Sequence, residues 1–148
     1  MHHLLRGEAR ASVAVDRDYD PSVPDGEFDK NQLVQAMLNI ARNAMQAVGD
    51  RGRIVLRTRV VSNASIGLDR HRLAVRIEVE DDGPGVPDSI RDSLFYPLVT
   101  GRPNGTGLGL AVAQEIVTRN GGAIEFQSEP GRTVFAIQLP LETRESAT

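Results

Sequence analysis

The chain has 148 residues, 40% hydrophobic and 25% charged, with a formal net charge of -3, which suits one soluble domain with a single core. The slight acidic excess removes any general electrostatic case for nucleic-acid binding. The absence of cysteine excludes disulfides, zinc–thiolate sites and cysteine nucleophiles. No apolar run is long enough to cross a membrane, and the start Met1-His2-His3-Leu4-Leu5-Arg6 has no signal-peptide core. A cytoplasmic protein with no membrane segment is therefore expected.

Ser12 to Tyr19 alternates apolar and polar residues and reads as a strand, stopped at Asp20-Pro21. From Asn31 to Val48 apolar residues recur at helical spacing (Leu33, Ala36, Met37, Ile40, Ala41, Ala44, Met45, Val48), with Asp29 as N-cap and Gly49 as the stop. Two strands are predicted next, 53–61 and 73–80, separated by a polar connection through Ser62, Asn63 and Arg70. The turn-forming run Asp81-Asp82-Gly83-Pro84-Gly85-Val86-Pro87 follows, then a short helix over 88–94. Residues 96–106, with two prolines and Gly101, Asn104 and Gly105, read as a loop. A helix over 108–120 ends at Gly121-Gly122, and strands 123–127 and 133–139 close the chain across Pro130-Gly131. This order predicts an α+β fold, a two-layer α/β sandwich in which about three helices cover one face of a mixed sheet. Residues 1–148 are read as one domain.

Three segments carry chemistry. Asn39 and Asn43 are four apart and share one face of the long helix. Asparagine is a poor helix former, so the pair is either surface decoration or a polar site in which the Asn43 amide oxygen ligates a magnesium ion bearing nucleotide phosphates. Asp81-Asp82-Gly83-Pro84-Gly85 follows a strand rich in Val and Ile. There Asp81 can accept a hydrogen bond from an exocyclic amine such as that of adenine, while the glycines admit close backbone approach. A plain tight turn would also use these residues. The dinucleotide-binding GxGxxG turn is rejected, because Asp88 stands where its third glycine should be. Gly105-Thr106-Gly107-Leu108-Gly109-Leu110 leads into a helix, a pattern that lets backbone N–H groups converge on phosphate. It lacks the Gly-Lys-Ser/Thr ending of a Walker A loop. Arg102 just upstream is a candidate contact for a terminal phosphate.

The order of these segments is more specific than any one of them. An Asn-bearing helix, a strand ending in Asp-x-Gly-x-Gly, Leu94-Phe95-Tyr96-Pro97-Leu98 and then Gly-Thr-Gly-Leu-Gly-Leu resembles the GHKL (Bergerat) superfamily of ATP-binding domains, and within it the histidine kinases. The resemblance runs from about Asp18 to Leu141. It implies Asn43 as magnesium ligand, Asp81 as the adenine-recognition residue, Phe95 and Tyr96 at the base of a mobile ATP lid, and Gly105, Gly107 and Gly109 against the phosphates. Asn39, Arg42, Gln46, Gly83, Gly85, Val86, Thr100, Arg102, Thr106, Leu108 and Leu110 complete the implied ATP site. Where many histidine kinases carry a phosphate-binding lysine this chain has Gln46, leaving Arg102 and Arg42 as candidates for the positive charge. The segments 17–24, 38–44, 94–102 and 129–135 look like sensor kinases of the nitrogen-regulation (NtrB) type. That implies signalling to an NtrC-type response regulator, with a PII-type signal protein as modulator.

The histidines are His2, His3 and His71, and none lies in a long amphipathic helix suited to a phosphoacceptor. The sequence therefore implies a domain that holds Mg-ATP for a histidine supplied by a separate domain of the same parent protein, and a monomer in isolation. Three alternatives stay open: a GHKL hydrolase, an anti-sigma-type serine kinase, and a nucleotide-controlled docking module. The hydrolases carry a glutamate one turn before the magnesium-binding asparagine, where this chain has Asn39.

Overall fold

The structure, a computed structural model, describes residues 13–22, 29–96 and 109–141. Eight elements follow in order. They are β1 (Val13–Asp18), α1 (Lys30–Val48), β2 (Gly52–Ile66), β3 (Asp69–Asp81), a 3₁₀ turn (Asp88–Ser93), α2 (Gly109–Arg119), β4 (Ala123–Glu129) and β5 (Arg132–Pro140). The strands form one sheet in the order β1-β2-β3-β5-β4. β1 pairs parallel to β2, and the other pairs are antiparallel. This is the mixed sheet with helices on one side that the sequence predicts.

The long helix forms where its pattern places it. Asp29 accepts a hydrogen bond from the Gln32 amide at 3.1 Å, satisfying one of the donors left open at a helix start. Ala36, Met37, Ile40, Ala41 and Ala44 are buried along one stripe. The C-terminus of α2 closes differently. Gly121, at φ +78, lets its own amide reach the Thr118 carbonyl and the Gly122 amide reach that of Val117, the Schellman arrangement that glycine permits at low cost. Between helices and sheet lies the main core, with Ile54, Leu56, Val79, Phe135, Ile137 and Leu139 all at most 1% exposed.

Charged side chains occupy the other face of the sheet. Arg57 reaches Asp18 (3.5 Å), Glu78 (3.0 Å) and Glu80 (3.4 Å), Arg76 reaches Glu78 (2.8 Å) and Glu125 (2.6 Å), and Arg132 reaches Glu80 (3.2 Å). The network crosses all five strands.

One expectation is corrected. The polar connection predicted between strands 53–61 and 73–80 is strand: β2 and β3 form one hairpin from Ile54↔Asp81 to Ile66↔Asp69, its register stepping over Asn63, whose φ is +52. Its turn is only Gly67-Leu68, with Gly67 at φ +61, the geometry a two-residue hairpin loop demands. Ala64, Ile66 and Ala74 bury a small second cluster beneath this extension. Ala64 and Ile66 alternate with exposed Asn63 and Ser65, a pattern that the small size of alanine obscures in the sequence. His71, placed in the connection by sequence, is instead a β3 residue opposite Ala64. The short helix predicted over 88–94 is present as a 3₁₀ helix, Asp88–Ser93, a form used in short pieces.

Candidate functional site

Most of the singled-out residues that the structure describes gather at the end of β3 and along α1. Asp81, the last residue of β3, is 2% exposed. One carboxylate oxygen, Oδ1, accepts the Gly83 amide at 2.9 Å, and the other, Oδ2, is also buried. Burying a carboxylate is costly unless polar groups meet it, so such a residue at a strand end points to chemistry rather than packing.

The turn after it is compressed between two neighbours. A methyl group at Gly83 would stand 2.9 Å from the Ala47 carbonyl oxygen of α1 and 3.0 Å from Asp81 Oδ1. One at Gly85, whose φ is +96, would stand 3.2 Å from the Glu129 carbonyl. Gly83 therefore serves close approach, while Gly85 serves both approach and a left-handed backbone. The β4–β5 hairpin grips the same turn: Gly131 N–H donates to the Gly83 carbonyl at 2.9 Å, and Val86 N–H donates to Ser128 Oγ at 2.8 Å. Asp82 turns away and caps the start of β2, accepting the Arg53 amide at 2.9 Å.

At the other end of the same stripe, Asn39 meets α2. A methyl at Gly109 would lie 3.8 Å from Asn39 Cβ, so the first residue of α2 sits on the asparagine face of α1. Asn43 lies one turn further along and, like Asn39, is partly buried. From Asn39 to Ala47, beside Gly83, α1 advances roughly 12 Å at ~1.5 Å per residue. Arg42 and Gln46 are exposed on α1, and Leu110 is partly buried on α2.

The segment after the 3₁₀ turn begins firmly. Leu94 is buried, and Phe95 packs edge-on against Phe126 (centroids 6.1 Å) and Phe135 (6.2 Å). Tyr96 is 65% exposed. Of the remaining sequence candidates, Thr100, Arg102, Gly105, Thr106, Gly107 and Leu108 lie outside the described residues, as does most of the expected lid. Among the described residues no group of three or more His, Asp or Glu side chains converges as a metal site. Any divalent cation here would need a ligand's oxygens as well as Asn43, which fits magnesium carried on phosphates.

Sequence reasoning missed Ser128, Thr133 and Gly131. Their tie to the turn depends on pairing β5 with both β3 and β4, and no local motif announces that.

The family described as "Histidine kinase-, DNA gyrase B-, and HSP90-like ATPase" matches residues 28–143. The chain belongs to that family. The sensory histidine kinase/phosphatase NtrB of Escherichia coli O157:H7 is 48% identical over 139 residues, covering 93% of this chain and 40% of that protein. The chain thus spans well under half the length of such curated relatives. Among solved structures, the mycobacterial sensor histidine kinase MprB superposes with a TM-score of 0.76 at 24% identity, covering 93% of this chain and 89% of that one. Full-length ShkA in complex with AMPPNP gives a TM-score of 0.72 at 26% identity, covering 96% of this chain and 27% of that one. The architecture of this ATPase-family domain is that of histidine kinase catalytic domains.

Proposed function

We propose that this chain is the ATP-binding catalytic domain of an NtrB-like sensor histidine kinase, holding Mg-ATP for transfer of its γ-phosphoryl group to a histidine in a separate domain of the same parent protein. The observation that carries this reading is the layout along the C-terminal half of α1. A buried carboxylate and a glycine turn stand at one end, and the asparagine face beneath the start of α2 stands at the other, about 12 Å away. That separation suits a base at Asp81 and a polyphosphate near Asn39 and Asn43. An acceptor-only carboxylate favours an exocyclic amine over a carbonyl, hence adenine over guanine. Gly83, Gly85 and Val86 line the base end. Phe95 and Tyr96 begin the lid, while Leu110 and the glycines up to Gly109 meet phosphate at a helix N-terminus. Asn43 would hold magnesium, which neutralises charge on the phosphates. The histidine nitrogen attacks the γ-phosphorus, the bond to the β–γ bridging oxygen breaks, and ADP leaves with that electron pair.

Phosphoryl transfer needs mainly positioning and charge stabilisation from protein, so a domain without its own nucleophile retains most of the apparatus. By the kinship to NtrB, the downstream partner is an NtrC-type response regulator, the modulator a PII-type protein and the setting the cytoplasm. No described helix is long and apolar enough to cross a membrane. Asn39 favours this reading over a hydrolase, because a neutral amide does not take a proton from water at ordinary pH.

The test has two arms. Calorimetric titration should show ATP binding that strengthens with magnesium. Incubation with labelled ATP should then leave this chain unlabelled but label a separately supplied dimerisation-and-histidine domain of the parent. Acid-labile phosphate on this chain alone, mapped to His71, would overturn the assignment.

A further inference from the structure

Four neighbouring strands place one side chain each on a single rung of the helix-facing side: Ile54, Asp81, Thr133 and Ser128, paired in turn as Ile54↔Asp81, Asp81↔Thr133 and Ser128↔Thr133. Directly opposite residues hold their side chains within contact range, so the rung runs from the buried carboxylate to the edge strand. It is polar at three positions, and Thr133 is 3% exposed. Ser128 Oγ and Thr133 Oγ1 are 2.7 Å apart. Ser128 Oγ also accepts the Val86 amide at 2.8 Å, and its residue's carbonyl accepts Arg91 Nη2 at 2.9 Å.

We propose that Ser128 is a positioning residue for base recognition, fixing the turn 82–86 at the depth at which Asp81 reads an exocyclic amine. The inference rests on the nucleotide reading given above. The turn has two points of attachment to the β4–β5 hairpin, Gly131 N–H on the Gly83 carbonyl and Ser128 Oγ on the Val86 amide. The first holds the turn where it leaves β3. The second holds its far end, after the left-handed Gly85, alongside the burial of the Val86 side chain in the core. Val86 is 9% exposed, so removing the hydroxyl leaves a buried amide without its acceptor, and the turn must move to find another. Ser128 need not touch the nucleotide. It acts through Val86 and Thr133.

The test compares affinities for ATP and ITP, which differ at the purine 6-position by amine against carbonyl, on the full chain with magnesium. Ser128→Ala should weaken ATP binding about tenfold, the scale of one neutral hydrogen bond, and shrink the ATP:ITP affinity ratio by a similar factor. Exchange of the Val86 amide with solvent should quicken selectively. Ser128→Thr, which keeps the hydroxyl, should restore both. Ser128→Cys, which replaces the hydroxyl with a larger, weakly accepting sulfur, should behave like the alanine variant and serves if alanine does not fold. Asp81→Asn is the control. If it leaves the ATP:ITP ratio at the wild-type value, the base-site reading itself has failed. If it collapses the ratio while Ser128→Ala and Ser128→Cys preserve it, the positioning role of Ser128 is overturned.

Discussion

Under the proposed function, Asn39 at the middle of α1 and Gly83 against its last turn bear on opposite ends of the nucleotide. General-base assistance is worth on the order of 10²–10⁴ in rate, and a neutral amide at Asn39 cannot provide it. Basal ATP hydrolysis by the purified chain should therefore be slow, as measured by phosphate release. Turnover at the rate of a dedicated ATPase, abolished by Asn43→Ala, would replace the kinase reading with the hydrolase one. Gly83 makes a steric statement. Its added methyl would meet backbone oxygen of Ala47 at 2.9 Å, and backbone cannot swing aside as a side chain can. Gly83→Ala should push the turn from α1 and reduce ATP affinity at least tenfold, while the thermal midpoint falls by a few degrees. Unchanged affinity would place the base elsewhere.

Elements differ in how much change they tolerate, and the reason is what surrounds their turns. A methyl at Gly122, just past α2, would collide with the Gln138 carbonyl of β5 and press on Leu139 and Val117. Gly122→Ala should cost about 1–3 kcal/mol, as overpacking does, read by denaturant unfolding. The β2–β3 turn is open by contrast. Nothing lies within 4 Å of a methyl at Gly67, so Gly67→Ala should cost only the left-handed backbone strain of about 1 kcal/mol. Leu68 is fully exposed at the tip, and Leu68→Ser should change stability by less than about 0.5 kcal/mol. A loss there as large as at Gly122 would mean that the hairpin tip packs on something.

At the scale of the whole molecule the sheet separates two chemistries, an apolar side beneath the helices and a charged side that crosses every strand. Burial pushes the Glu78 carboxyl upward, but hydrogen bonds from Arg76 and Arg57 outweigh it and hold its pKa below the ordinary glutamate value. A depressed folded-state pKa stabilises the fold above the unfolded value of 4.5, and that contribution is lost as pH falls through the folded one. Glu78→Gln should therefore cost about 1 kcal/mol near pH 7. The difference from wild type should narrow below pH ~4, measured by denaturant unfolding at several pH values. A constant difference at every pH would assign the effect to packing instead.

The sequence by itself determined the elements whose information is local. Helix α1 has its stripe, its Asp29 cap and its Gly49 stop within one segment. The Asp81–Val86 turn is legible for the same reason, since backbone freedom and charge at a strand end are written in adjacent residues. The length of the β2–β3 hairpin was not legible, because Ala64 and Ala74 bury too little surface to mark a strand face, and only pairing shows that they are inside. Nor was the polar rung. Ser128 and Thr133 are ordinary hydroxyl residues in a closing hairpin until β5 inserts between β3 and β4 and sets them beside Asp81, 47 and 52 positions away along the chain. Local chemistry is carried by neighbours in sequence, but the alignment of a carboxylate, two hydroxyls and a clamped turn exists only once the sheet order is chosen.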